Sequence, residues 1–271
     1  MRAVALHPDV LVVTSALLHL NCVVVRGPAG QPESAAAGEQ DGETLVIDSP
    51  VLPDELDALP ALLEQARFGA PSGALATHGD WDHLLAPLAF PGIALGCAES
   101  TAERLQAGPG RPQRDLRAFD EDLMIERKRP LALGSPQALP VPGRCALGAA
   151  ELELHPADGH TPDGMAIVVP WARVLVAGDY LSKLELPTLN DGGDLDAYLA
   201  TLERLRPLVA RCEHVVPGHG PVLDGPGALS VLDEDVAYLH ALRRDGGAAQ
   251  LPAGRRRAAQ RRLHLANVDS L

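Results

Sequence analysis

The chain has 271 residues, enough for one large domain or two small ones, and 46% of them are hydrophobic although only 3% are aromatic, so Leu, Val and Ala must do most of the packing. A net charge of −13 excludes general nucleic-acid binding. Cys22, Cys97, Cys145 and Cys212 are far apart and form no CxxC pair, which points to free thiols in a reducing cytoplasm and not to a disulfide framework.

In chain order, residues 10–13 and 22–25 read as two core strands joined by a tight turn. The apolar run they belong to carries His19 and Asn21 and has no small-residue cleavage site after it. It is too short and too interrupted for a membrane span, and it fails as a signal peptide. Residues 27–42 are rich in Gly, Pro, Ala, Gln and Glu and predict a flexible surface loop. Residues 44–47 form a strand closed by Asp48-Ser49-Pro50. Leu56, Leu59, Leu62 and Leu63 predict a helix ended by Gly69, with Pro60 dividing it.

Residues 73–76 are short and apolar and read as a buried strand that delivers the stretch Thr77-His78-Gly79-Asp80-Trp81-Asp82-His83. Four groups able to bind a metal fall within it: His78, Asp80, Asp82 and His83. Imidazole and carboxylate are ligands for zinc, iron or manganese. Alternate residues of an extended loop point the same way, so His78, Asp80 and Asp82 can converge, and His83 needs only a turn to join them. The alternative is a polar loop whose charges face water. Two histidines with two aspartates at this spacing weigh against it.

Farther on, residues 93–96 are strand-like, and Ser100-Thr101-Ala102-Glu103 matches a capping box opening a short helix. Residues 107–150 are rich in proline, glycine and arginine and predict irregular structure forming one wall of a cleft, with a charged amphipathic piece over residues 123–128. Residues 151–155 alternate as a strand, and residues 165–169 and 173–177 as a hairpin pair. Asp194 caps a helix bearing Leu195, Tyr198, Leu199, Leu202 and Leu205, which Pro207 is expected to stop. A last strand covers residues 214–216, and Leu229, Leu232, Val236 and Leu239 mark a final helix. This is α/β order in one domain over residues 1–245, followed by an arginine-rich tail over residues 246–271 that reads as solvated, with contact to a neighbouring subunit as the alternative. A homodimer is compatible with that.

Three more strand ends carry ligand types. Asp158-Gly159-His160-Thr161-Pro162 is a turn presenting His160. Ala177-Gly178-Asp179 ends a buried strand in a carboxylate. Pro217-Gly218-His219-Gly220 ends another in a histidine between glycines, which let the backbone pass close to a site. A lone Asp or His at a strand end is more often a cap or a satisfied turn, but all three follow the first cluster in order.

With these motifs the chain resembles the metallo-β-lactamase superfamily of metallohydrolases over about residues 10–240. The resemblance implies a four-layer αββα sandwich of two mixed β-sheets with metals at one edge. It also implies two divalent metal ions, zinc first. His78, Asp80 and His160 would hold one ion, Asp82, His83 and His219 the other, and Asp179 would bridge them, while Asp48 would be a structural support. The family's second histidine is Asp80 here. A harder oxygen donor shifts preference toward iron or manganese or weakens the first site, and Glu at this position is found in the di-iron flavoproteins of the superfamily. The function implied is a cytoplasmic hydrolase of a small-molecule ester, thioester or lactone, with Asp82 orienting the attacking water and taking its proton. A di-iron oxidoreductase and a phosphodiesterase are the alternatives. Neither nucleic acid nor membrane is expected as a partner.

Tyr180, directly after Asp179, is a candidate to hydrogen-bond the substrate or leaving group, with core packing as the other reading. Lys183 could pair with a substrate carboxylate or simply lie on the surface. Trp81 could form an apolar wall or pack beneath the loop. His7, His19, His155, His214, His240 and His264 lie outside the motifs and read as structural or solvent-facing.

Overall fold

In the computed structural model, which describes residues 1–28, 42–189 and 192–271, two mixed sheets stack face to face. Arg2–His7 (β1), Val10–Thr14 (β2), Asn21–Arg26 (β3), Thr44–Ile47 (β4), Gly73–Leu75 (β5), Leu95–Ala98 (β6) and Gln137–Leu139 (β7) form a seven-stranded sheet in that order. It is antiparallel from β1 to β4 and parallel from β4 to β7. Gly143–Leu147 (β8), Ala150–Pro156 (β9), Met165–Val169 (β10), Val174–Gly178 (β11), His214–Pro217 (β12) and Leu223–Asp224 (β13) form the second sheet, in which only β11 and β12 run parallel.

The pleat sorts the side chains into layers, because successive residues of a strand face opposite sides. Val10, Val12, Val23 and Val25 meet Leu152, Leu154, Ile167 and Val169 between the sheets. Leu11, Val13 and Val24 point outward, against Leu56, Leu59 and Leu63 of helix α1 (Pro53–Gln65). The short helix α2 (Ala86–Ala89) completes that side with Leu88. Helix α3 (Glu99–Ala107) and helix α4 (Arg111–Leu123) follow, anchored by Ala102 and Leu116. Beyond the second sheet, Ala166, Val168 and Leu175 face helix α5 (Leu195–Arg211) and helix α6 (Gly225–Asp245). This is the αββα sandwich. No helix among the described residues is long and apolar enough to cross a membrane.

Several expectations are corrected. Pro60 and Pro207 lie inside α1 and α5 without ending them, because each ring sits on the exposed face of its helix, away from the core. Ser100 lies within α3 and caps nothing; the helix starts at Glu99. Residues 107–150 are irregular only in part: they supply α4, β7 and β8, with residues 124–136 in neither helix nor strand. Most of the loop expected over residues 27–42 lies outside the described residues.

The arginine-rich end is not a solvated run either. Helix α7 (Ala258–Asp269) and the turn before it bury Arg255, Gln260, His264 and Asn267. These polar residues bond backbone rather than water: Arg255 Nη1 donates to the carbonyls of Ser182 (3.1 Å) and Glu185 (2.9 Å), and Gln260 Nε2 to that of Leu184 (2.6 Å). Asn267 Nδ2 donates to Pro187 O at 2.6 Å, and its Oδ1 accepts from Leu189 N–H at 3.0 Å. The C-terminal segment thus straps down residues 182–189. All four cysteines are free; Cys22, Cys97 and Cys212 are buried and Cys145 is half-buried.

Candidate metal centre

Parallel pairing decides where the ligand types meet. Because β4 and β5 run parallel, as do β11 and β12, the loops after their carboxyl ends leave the sandwich at one edge. Asp48 follows β4, the 77–83 loop follows β5, Asp179 follows β11 and His219 follows β12, while His160 arrives on the turn after β9. Gly218 allows the closest approach: a Cβ there would lie 2.0 Å from Asp179 Oδ1. Gly159, at φ +119°, makes room for α5 in the same way, its Cβ position lying 2.2 Å from Tyr198 N.

The four motif histidines are buried, and each is anchored through Nδ1. His83 Nδ1 lies 2.9 Å from Asp48 Oδ2, His160 Nδ1 lies 3.0 Å from Thr188 O, and His219 Nδ1 lies 3.0 Å from Leu18 O. Carboxylates and carbonyls only accept, so each Nδ1 carries the proton. Thr77 Oγ1 spends its own proton on Asp48 Oδ2 (2.9 Å) and so accepts from His78 Nδ1 at 3.2 Å. The four Nε2 atoms are left facing inward, the arrangement that a metal-binding imidazole takes. His78, His83 and His160 leave Nε2 buried with no hydrogen-bond partner, as does Asp179 with Oδ1.

The carboxylates close two sets of donors. In the first, Asp80 Oδ2 lies 3.6 Å from His78 Nε2 and 3.7 Å from His160 Nε2. In the second, Asp82 Oδ2 lies 3.4 Å from His219 Nε2 and 3.9 Å from His83 Nε2. Asp179 stands between, with Oδ2 3.4 Å from Nε2 of both His160 and His219 and Oδ1 3.2 Å from His83 Nε2. Donors around one tetrahedral zinc stand roughly 3.4 Å apart, so orphaned buried atoms at these separations fit cations of that size. His78, His160 and Asp179 form one group able to hold an ion, and Asp82, His83 and His219 another.

Charge reinforces the pattern. Burial alone would lower the His83 imidazole, yet the carboxylates of Asp179, Asp48 and Asp82 outweigh it and hold its pKa well above the ordinary value. The same contest, against Asp179 above all, brings His219 to about 10 and raises His160 beside Asp80. Asp80 and Asp179 are pushed the other way. Burial would raise them, but His160 and His78 hold Asp80, and His219 and His83 hold Asp179, well below the usual carboxylate range.

Asp80 also has a partner outside the cluster. Arg104 Nη2 donates to its Oδ1 at 2.8 Å, while Nη1 donates to Asp163 Oδ1 at 2.8 Å. Asp163, itself buried, takes Gly79 N–H and the Thr101 hydroxyl on its other oxygen. Asp80 is thus fixed with one oxygen toward Arg104 and the other toward the histidines. Thr77, Arg104 and Asp163 were missed in the sequence reading. Asp163, three residues after His160 in the same turn, was the one with a visible signal.

The Tyr180 hydroxyl is engaged by backbone: it donates to Asp158 O at 2.7 Å and accepts from His160 N–H at 3.1 Å, so it shapes the turn that presents His160. Trp81 packs on Phe119 of α4, ring centroids 4.5 Å apart, and Lys183 is exposed. No sequence motif marks Glu185, on the loop after β11. Its carboxylate comes within 4.8 Å of the ligand atoms of Asp179 and His219. Burial pushes its pKa up; His219 opposes this, and Asp179 and Asp82 add to it.

The profile of the metallo-beta-lactamase superfamily matches residues 39–219. The chain belongs to the metallo-beta-lactamase superfamily. Solved structures share the fold at low identity. A metallo-beta-lactamase from Pontibacter korlensis is 18% identical with a TM-score of 0.60, covering 86% of this chain and 98% of its own. The sec-alkylsulfatase Pisa1 from a Pseudomonas species is 14% identical with a TM-score of 0.69, covering 89% of this chain but 42% of its own. The BLEG-1 B3 metallo-beta-lactamase is 19% identical with a TM-score of 0.57, covering 81% and 95%. No curated protein matches the sequence significantly.

Proposed function

We propose that this superfamily member is a metal-dependent hydrolase of a small-molecule ester, thioester or lactone. The observation that carries the reading is the convergence of four Nδ1-anchored imidazoles, three of whose buried Nε2 atoms have no partner, on the Asp179 carboxylate. His78, Asp80 and His160 would hold one divalent ion, and Asp82, His83 and His219 a second, with Asp179 shared. Zinc suits the imidazoles, and Asp80 admits manganese or iron.

When bound, such ions lower the pKa of water from 15.7 to about 7 and polarise a carbonyl or phosphoryl oxygen. The chain's own residues do the rest. Asp48 and Thr77 fix the tautomers of His83 and His78, Arg104 keeps Asp80 turned inward, and Asp82 is the carboxylate set to orient the attacking water and accept its proton. A cavity of about 580 Å³ lined by Val4, Val12, Ala16, Leu184, Pro221 and Val222 suits the apolar part of a small substrate. Its lining residues Leu184 and Gly220 adjoin Glu185 and His219 in the chain, which supports this reading.

The test is a panel of ester, thioester, lactone and phosphodiester substrates against metal-loaded protein and Asp82→Ala. Hydrolysis lost in the variant with the fold intact is the expected result; a variant working at the parent rate removes Asp82 from its assigned part. Asp80 supports a second reading, a di-iron oxidoreductase, and the metal content and colour of the purified protein separate the two.

A further inference from the structure

Glu185 belongs to none of the motifs that supply the two donor sets, yet it stands against one of them. Its carboxylate oxygen and the ligand atoms of Asp179 and His219 all lie within 4.8 Å of one another. His83 Nε2, buried and without a hydrogen-bond partner, faces Asp179 Oδ1 of that group at 3.2 Å.

The backbone that carries Glu185 is tied to this set from both directions. Ser182 Oγ donates to His219 O at 2.7 Å and accepts the N–H groups of Leu184 and Glu185 at 3.0 and 3.1 Å. Arg255, buried beneath the loop, donates to the carbonyls of Ser182 and Glu185. Backbone held this firmly fixes where the side chain starts. Among the described residues, no group donates a hydrogen bond to its carboxylate, whereas Asp48, Asp80 and Asp163 all have such donors.

We infer that Glu185 is an additional oxygen donor to the ion held by Asp82, His83 and His219, and that it biases that site toward manganese or iron(II) over zinc. This rests on the proposed metal centre. It would give the centre four carboxylates, Asp80, Asp82, Asp179 and Glu185, matching the four positive charges of two divalent ions. Oxygen donors and a higher donor count suit manganese better than four-coordinate zinc.

The experiment measures manganese and zinc affinities by chelator competition on the full chain, for the parent, Glu185→Gln, Glu185→Ala and the exposed neighbour control Lys183→Ala. Circular dichroism and thermal melting check the fold. The expected result is a fall of about tenfold or more in the manganese-to-zinc affinity ratio at one site in both Glu185 variants, with the other site and the control unchanged. A ratio that stays at the parent value in both well-folded variants overturns the assignment of Glu185. A parent protein that binds neither metal overturns the metal centre itself, so the two failures are distinguishable.

Discussion

Asp48 and His83 are joined at 2.9 Å across the ends of β4 and the loop after β5, carboxylate Oδ2 to imidazole Nδ1. Asp48 sits in the left-handed region at φ 55°, uncommon for a residue other than glycine. From there it also takes the N–H and hydroxyl of Thr77, at 2.8 and 2.9 Å. One carboxylate thereby orients both histidines of the 78–83 loop without entering either donor set. Asp48→Ala should therefore lower metal affinity about 10–100-fold with all seven donor residues still present. Chelator competition checks it, and parent affinity in the variant would deny Asp48 this part.

The glycine before His219 gives a second prediction. A methyl group at Gly218 would lie 2.0 Å from Asp179 Oδ1 and 3.1 Å from His83 Cε1. Gly218→Ala should push Asp179 from its place between the sets and reduce metal uptake, at a stability cost of about 1–3 kcal/mol. Uptake and urea unfolding measured on the same sample separate the two effects.

Arg104 lies between Asp80 and the buried Asp163, pairing with each at 2.8 Å. Among the described residues, removing it leaves the Asp163 carboxylate the Gly79 N–H and the Thr101 hydroxyl as donors. Arg104→Leu should destabilise the fold by on the order of 3 kcal/mol, read by urea denaturation. A loss well under 1 kcal/mol would show that Asp163 does not depend on the guanidinium.

The sign of the pH dependence follows from the histidines. In the metal-free protein the neighbouring carboxylates raise the pKa values of His83 and His160 and bring His219 to about 10, so the imidazoles of the site favour their protonated forms. Each entering ion must displace those protons. Metal affinity should rise with pH through the neutral range, with protons released on binding. The His219 pairs stabilise the metal-free fold fully below its ordinary pKa of 6.5, and that contribution is lost as pH rises toward 10. Calorimetry in buffers of different ionisation enthalpy measures the release; uptake without protons contradicts it.

Much of this architecture was readable because it obeys simple periods. β2 and β3 alternate between two apolar layers, and the donor residues sit where short apolar strands end. What escaped is held by polar contacts. Helix α4 is mostly charged and buries only Pro112 and Leu116, so its thin apolar stripe is lost among the charges. The C-terminal segment escaped for the same reason. Arg255, Gln260 and Asn267 are buried to serve the backbone of residues 182–189, and their charge and polarity suggest solvent instead. Tyr180 and Glu185 are each one residue type at one loop position. Only the folded turn shows that the Tyr180 hydroxyl bonds backbone while Glu185 faces the donors.

That strap makes its own prediction. Asn267→Ala leaves Pro187 O and Leu189 N–H without partners, with Asn267 itself 1% exposed. A loss of about 2 kcal/mol in urea unfolding is expected, and no measurable loss would show that residues 182–189 hold without it.

The most direct test is elemental analysis of the full chain after loading with zinc or manganese and exhaustive dialysis. Two ions per chain in the parent, falling when His160 or His219 is replaced by alanine, is the expected result. A folded parent that retains no transition ion would contradict the metal centre.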